Sequence, residues 1–363
     1  MELYIWPSDF GLPSIESKCL QFMACAKFCA APVTVIPSNS PWKCKKGTYP
    51  VFVNRCANGV VETTEFDQFA ALLRKSAQDV VLDNELTLAE RCELDAFSSL
   101  MLHSFYPAQL HLLWLDQWNY TTVTAHWYSS QLLFPYGLYY LERRRRRAQA
   151  YVAACARSES QLIRDAIMAI NLLSAKLGDS KYFYGDKPSS LDALVFGYLA
   201  PMLKLPLPSD RLQQHIMGCP NLVRFIESII SIYLPLTENQ IRLQCLSKDK
   251  WQMRRARAQK SAERMNMRRD TVDEEASHAA FRKGRKNNAV FQMADRFCTS
   301  TSEICVELLP TDKVTHYLSF FFKAPIRDTV IFAVGALTLS ILFAVHLGII
   351  SVSVEEEAPI EID

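Results

Sequence analysis

The sequence predicts an α+β chain: a small sheet domain, an all-helical domain, then a tether and a membrane span. Three observations carry this. Residues 1–82 alternate short β-prone runs with amphipathic stretches. After Leu86 the apolar spacing turns helical throughout. From Thr329 to Val354 there is no Asp, Glu, Lys or Arg, only His346. A sheet layer followed by a helical half is the α+β arrangement.

The elements come in this order. "ELYIW" is apolar and β-prone and is closed by Pro7, so it reads as a strand. "SIESKCLQFMACAKFCA" places Ile15, Leu20, Met23, Cys25 and Phe28 at helical spacing, with Ser14 available to cap its start. "PVTVI" is a second strand, and "SNSPWKCKKG" a turn-rich loop. "TYPVFV" and "GVVET" form a hairpin around Asn58-Gly59. The Tyr49–Pro50 bond at its start is expected trans, since cis accounts for only about 5–6% of X–Pro bonds in folded proteins. "TEFDQFAALLRKSAQ" sets Phe66, Phe69, Leu72 and Leu73 on one side of a helix. Beyond it, "TLAERCELDAFSSLMLHSFYPAQLHLLWL", "ESQLIRDAIMAINLLSAKLG", "SLDALVFGYLAPMLKL" and "NLVRFIESIISIY" all read as helices. The resulting organisation is a sheet domain over 1–82, a helical domain over 83–238, a basic tether over 239–327, a span over 328–354 and an acidic tail over 355–363.

An α-helix rises about 1.5 Å per residue, so about 20 apolar residues cross a bilayer core. The run at 329–354 is long enough, and its position calls for post-translational insertion as a tail anchor. Lys323 and Arg327 before it, against Glu355, Glu356 and Glu357 after it, place the upstream bulk in the cytosol. The N-terminal "MELYIWPSDF" has neither an apolar signal core nor an Arg-rich presequence. With a net charge of +2, no global field points to nucleic acid. Charge is uneven, however: between Arg242 and Arg296 basic residues outnumber acidic ones. The 11 cysteines contain no C-x-x-C pair and suit a reducing compartment.

Few residues propose chemistry. Ser189 and Asp192 have capping-box spacing, with the Asp192 carboxylate at the positive end of a helix dipole; a folding role accounts for both. Cys25 and Cys29, one turn apart, read as small apolar core residues, with a redox or metal pair as the alternative. The histidines form no H-x-x-x-H pair, and there is no phosphate-binding Gly-rich loop and no G-x-S-x-G. Arg143–Arg147 are five consecutive arginines that cannot all be buried; a solvated face, anionic headgroups or an acidic partner would each receive them. His346, inside the span, is an intramembrane ionisable group and so a functional suspect. The broken aromatic run reads as core packing or as a partner-binding patch; on the second reading the aromatic block supplies the interface candidates Trp114, Trp118, Tyr120, Trp127, Tyr128, Phe134 and Tyr136.

The start "ELYIWPSDFGLPSIES", the "NSPW" loop, "WLDQWNYTTVTAHWY" with its following "FP", "KYFYGDKPSSLDALVFGYLAPMLK" and "LVRFIESIISIYLP" together resemble the metaxins, in their metaxin-1/metaxin-3 branch. The resemblance runs from about Met1 to Pro235; the long basic stretch and the late span match less closely. It implies a glutathione-transferase-like layout, with a thioredoxin-like N-domain whose third strand follows Pro50, and an all-α C-domain carrying the Ser189–Asp192 cap. It further implies an outer mitochondrial membrane protein, its bulk in the cytosol. Such a protein serves the import and assembly of β-barrel proteins as a subunit of the sorting and assembly machinery. Its partners would be a second metaxin-type subunit, an outer-membrane β-barrel assembly protein and outer-membrane lipid, with no cofactor, no metal and no nucleic acid. Two alternatives stay open: a membrane-tethered glutathione-dependent transferase, and a mitochondrial dynamics or transport adaptor working through 242–296. Glutathione transferases activate the thiol with a Tyr, Ser or Cys near the end of the first strand. Here the candidates are Tyr4, Ser8 and Ser14, and "VETTEFDQF", with Glu62-Thr63 or Thr64-Glu65, is at best a degraded copy of the γ-glutamyl-binding pair.

Overall fold

Leu3 and Ile5 alternate with Glu2 and Tyr4, so strand β1 (Glu2–Ile5) turns Leu3 and Ile5 into the core. A parallel neighbour needs a crossover, which helix α1 (Ser17–Phe28) provides on the way to β2 (Thr34–Pro37). Strands β3 (Val51–Cys56) and β4 (Gly59–Thr63) form an antiparallel hairpin, and β3 pairs antiparallel with β1. The four-stranded sheet runs β2-β1-β3-β4, the mixed layer expected of a thioredoxin-like domain. Helix α2 (Phe66–Lys75) completes it: Phe69 stacks on Phe22 of α1 at 4.6 Å and meets Phe52 of β3 edge-on at 4.9 Å.

The structure, a computed structural model, describes residues 1–287 except 45–46, 57–58, 76–81 and 135. Met1–Phe281 form one compact unit; of the second unit, Arg282–Asp363, only backbone as far as Asn287 is described.

The helical half begins with α3 (Leu88–Leu100), started by a Thr87–Glu90 capping box. It continues through Pro107 without a break. Wide π-type turns at Met101–Phe105 and His111–Leu115 flank the short helix α4 (Tyr106–Leu110). Proline has no N–H to give to the carbonyl four residues back, and a widened turn absorbs the missing bond. Asp116 breaks the run and caps α5 (Gln117–Asn119), its carboxylate accepting from Asn119 N at 2.8 Å. A third wide turn, Tyr120–Thr124, leads into α6 (Ala125–Gln131). Then come α7 (Tyr136–Ala154), α8 (Glu159–Leu177), α9 (Ser190–Lys204), α10 (Arg211–Met217) and α11 (Pro220–Tyr233).

Helix α9 is buried from Leu191 to Met202 and crosses α1 so closely that only glycine fits at 197. A Cβ at Gly197 would lie 2.8 Å from Ser17 O and from Gln21 N. Backbone cannot yield as a side chain does. Gly197→Ala is therefore expected to destabilise the folded body by about 2–3 kcal/mol, read as a lowered melting midpoint of the full chain in detergent.

Two expectations are corrected here. Ser14 does not cap α1: the N-cap is Glu16, without a side-chain cap bond, and Ser14 is fully buried two residues upstream. The Tyr49–Pro50 bond is cis. The stretch from 239, expected as a basic tether, begins as helix α12 (Glu238–Asn287), which docks on the body. Gln244 Oε1 accepts from Gly11 N at 2.8 Å, and Trp251 packs edge-on to Phe10 at 5.0 Å. Arg255 pairs with Asp210 at 2.6 Å, and Gln259 Nε2 donates to Pro208 O at 3.2 Å. These anchors recur at helical spacing but are mostly polar, so apolar periodicity does not show them. The expected span 328–354, the tail 355–363 and His346 lie outside the described residues; among those described, no helix is long and apolar enough to cross a membrane.

Candidate functional site

The sheet layer and the helices meet at the start of α1. Because Glu16 is not spent on capping, its carboxylate turns to α7. Arg144 Nη2 approaches Glu16 Oε1 at 2.6 Å, and Tyr128 OH donates to Glu16 Oε2 at 2.7 Å. The reason Arg144 alone of the run points inward is helical phase. Gly137, Leu141, Ala148 and Val152 are buried, and Arg144 falls in the same row. Its guanidinium lies 5.1 Å over the Trp114 ring. Burial works against the Arg144 charge, but Glu16 and the surrounding tyrosines outweigh it and hold the group firmly protonated.

Around this pair is an aromatic cage. Trp6 meets Tyr49, Tyr128 and Tyr140 edge-on, at 5.2, 5.1 and 5.4 Å. Trp127 Nε1 donates to Asp9 Oδ2 at 2.8 Å; burial pushes the Asp9 carboxyl up despite that bond and one from Phe10 N. Above the pair opens a polar cleft of about 350 Å³, lined by Lys18, Pro50, Thr64, Glu65, Arg143 and Arg147 among others.

The hydroxyls in and around the cleft decide what it can do chemically. Tyr4 lies within β1 and donates to Glu2 Oε2 at 2.9 Å, which raises its pKa and disfavours the phenolate. Ser8 is half-buried and does not line the cleft. Ser14 is sealed in the core, its Oγ without a partner. Tyr106 does line the cleft, but burial pushes it up to about 12, so it stays protonated at neutral pH. Thr63 is spent at the start of α2, donating to Gln68 Oε1 at 2.8 Å. Thr64 and Glu65 do face the cleft, while Glu62 is exposed on β4. A nucleophile needs a depressed pKa or an adjacent base; Tyr4 and Tyr106 are raised instead, and the carboxylates beside these hydroxyls are Glu2 at 2.9 Å from Tyr4 and Glu65 at 3.4 Å from Thr64.

The aromatic candidates divide. Trp114, Trp127 and Tyr128 are 3, 1 and 3% exposed, so they pack the core and are not available to a docking partner. Trp118 and Tyr120 are half-buried, with Arg145 4.8 Å over the Tyr120 ring. Phe134 and Tyr136 are exposed. Ser189 and Asp192 form their capping box at α9, and Pro50 borders the cleft. Cys25 and Cys29 are buried at the end of α1 with free thiols. Among the described residues no three potential ligands are grouped to hold a metal.

Sequence reasoning missed the Glu16–Arg144 pair. The signal was available in the apolar row of α7, which assigns one specific arginine to the inside. A second, larger cleft of about 750 Å³ opens where α12 lies on the body, lined by Phe10, Leu205, Met217, Ile241 and Trp251.

Residues 19–145 match the family described as outer mitochondrial membrane transport complex protein, and residues 166–229 match the glutathione S-transferase C-terminal domain. The metaxin-1 homolog of Caenorhabditis briggsae is 44% identical over 98% of this chain and 99% of its own length. Metaxin-3 of Xenopus laevis is 36% identical over 64% of this chain and 76% of its own. Metaxin-1 of Macaca fascicularis is 34% identical over 65% and 75%.

Proposed function

The chain belongs to the metaxin family, and from that membership we propose that it is a non-catalytic subunit of an outer mitochondrial membrane complex for protein transport. Within that complex it serves the import and assembly of β-barrel proteins, beside a second metaxin-type subunit and an outer-membrane β-barrel assembly protein. The observation that supports a binding rather than a catalytic role is the junction cleft. Its buried charge is locked in the Glu16–Arg144 pair, and none of Tyr4, Ser8, Ser14 or Tyr106 is poised as an activated hydroxyl there. A fold reused without its chemistry is ordinary, because function resides in the site.

Residues 328–354 anchor the chain, with the body on the cytosolic side as the basic flank Lys323 and Arg327 favours. The basic stretch after Arg242 lies along the anionic leaflet. Contact with a partner subunit falls first to Trp118 and Tyr120; Phe134 and Tyr136 are the other accessible members of the aromatic set. Solubilised from outer membranes in mild detergent, the protein is expected to migrate on a native gel far above its own 41.4 kDa, together with an outer-membrane β-barrel protein. Migration as a monomer or small homodimer would sink the complex and leave the transferase or the adaptor standing, with glutathione binding at the cleft as the next measurement.

A further inference from the structure

The turn between α6 and α7 carries a run of large apolar side chains left open to solvent. Leu133 and Phe134 are 71 and 82% exposed, and Leu138 and Tyr139 are 60 and 67% exposed. Tyr136 stacks on Trp42 of the sheet domain at 5.2 Å, and both are exposed, so the patch spans the domain junction. Isolated exposed apolar residues need no explanation, but a contiguous group does.

The next turns of α7 narrow the occupant. Gly137, Tyr140, Leu141, Ala148 and Val152 face inward, so Tyr139, Glu142 and Arg146 fall on the outward stripe at helical spacing, with the half-buried Arg143 at its edge beside the cleft. Arg146 pairs with Glu142 across solvent, at 2.6 Å, and Arg147 is exposed beside it. The surface is thus a protruding apolar tip continued by cationic side chains roughly 10–15 Å further along the helix axis. Protein interfaces set their aromatic and arginine anchors together in the centre of a fitted, desolvated patch. An aromatic and aliphatic tip flanked by arginine instead matches the bilayer interface, where aromatic rings sit at headgroup level and basic side chains meet lipid phosphates.

We infer that this corner is a membrane-docking surface. Leu133, Phe134, Tyr136, Leu138 and Tyr139 enter the interfacial layer of an anionic bilayer, and Arg143, Arg146 and Arg147 engage its phosphates. The inference rests on the membrane location proposed above, and it assigns Phe134 and Tyr136 to lipid rather than to a protein partner. Docking at this corner brings the opening of the junction cleft, where Arg143 and Arg147 stand, close to the headgroups.

The test places the photo-crosslinker p-benzoylphenylalanine at position 134 of the full chain. The protein is added to phosphatidylcholine vesicles with and without phosphatidylinositol, and also probed in outer membranes. Lipid adducts at 134 are expected in the phosphatidylinositol vesicles. Arg146→Glu and Arg147→Glu, both at exposed positions that folding does not need, are each expected to cut the yield about fivefold or more. A chain that floats with the vesicles but gives no lipid adduct overturns the corner and leaves the membrane location intact. A chain that does not float overturns both. Equal yields with and without phosphatidylinositol, or adducts in outer membranes to protein alone, also overturn it, the latter returning the corner to a partner subunit.

Discussion

Asp192→Ala is expected to lower the stability of the folded body by about 3–5 kcal/mol, which for a body of this size moves the melting midpoint by about 8–15 °C. The carboxylate is fully buried and serves several donors at once. Oδ2 accepts from Ser189 N at 2.8 Å and from Ser189 Oγ, and Oδ1 accepts from Phe183 N at 3.0 Å. Alanine would leave two backbone amides buried without acceptors and remove the carboxylate half of the capping box of α9, the helix against which α1 packs. Thermal unfolding of the full chain in detergent, followed by tryptophan fluorescence, measures the loss; a midpoint within a degree or two of wild type would refute this account.

The same group makes stability depend on pH. Burial pushes the Asp192 carboxyl up to about 6, against the bonds from Ser189 and Phe183 that favour its charge. The folded value lies above the unfolded one, so protonation favours folding. That contribution is complete below about pH 4 and is lost as pH rises through about 6, a change of about 3 kcal/mol. Asp192→Asn is therefore expected to destabilise more at about pH 4 than at about pH 7. A penalty that grows with pH would contradict the assignment.

Removing Arg144 is expected to cost about 3 kcal/mol or more. Arg144→Met leaves the Glu16 carboxylate, whose side chain is 14% exposed, facing Tyr128 and the aromatic cage without its cation. Desolvating an unpaired charge is what makes such single changes severe. The double replacement Glu16→Gln with Arg144→Met removes both charges and is expected to recover much of the loss, since apolar or neutral substitutes for a buried pair are often tolerated. Chemical denaturation of the four proteins in a double-mutant cycle reads the coupling directly. Additive losses would mean that the two groups do not depend on each other, and the junction would need another explanation.

Much of the architecture was legible because it rests on short-range rules. β1, the hairpin and α2 come from apolar alternation and turn chemistry, α8 from apolar spacing, and α9 from apolar spacing with Ser189 at its cap. Reading failed where a long-range contact reassigns a residue. Ser14 has the composition of a cap, yet the chain enters the core there and Glu16 takes the N-cap position. Trp114, Trp127 and Tyr128 look like interface aromatics, but the domain junction consumes them. Helix α12 reads as a tether because Gln244, Trp251, Arg255 and Gln259 hold it largely by side-chain bonds to Gly11, Asp210 and Pro208 rather than by an apolar stripe.

By itself, then, the sequence determined the order of elements, the capping of α9, the uncharged run at 329–354 and the resemblance to the metaxins. All of these are set by neighbours along the chain or by motif spacing. The tertiary structure alone decided which aromatics are inside and which of five arginines meets Glu16. Burial and charge pairing join residues more than a hundred positions apart, as Glu16 and Arg144 are joined across 128, and no local pattern records a contact that only folding creates.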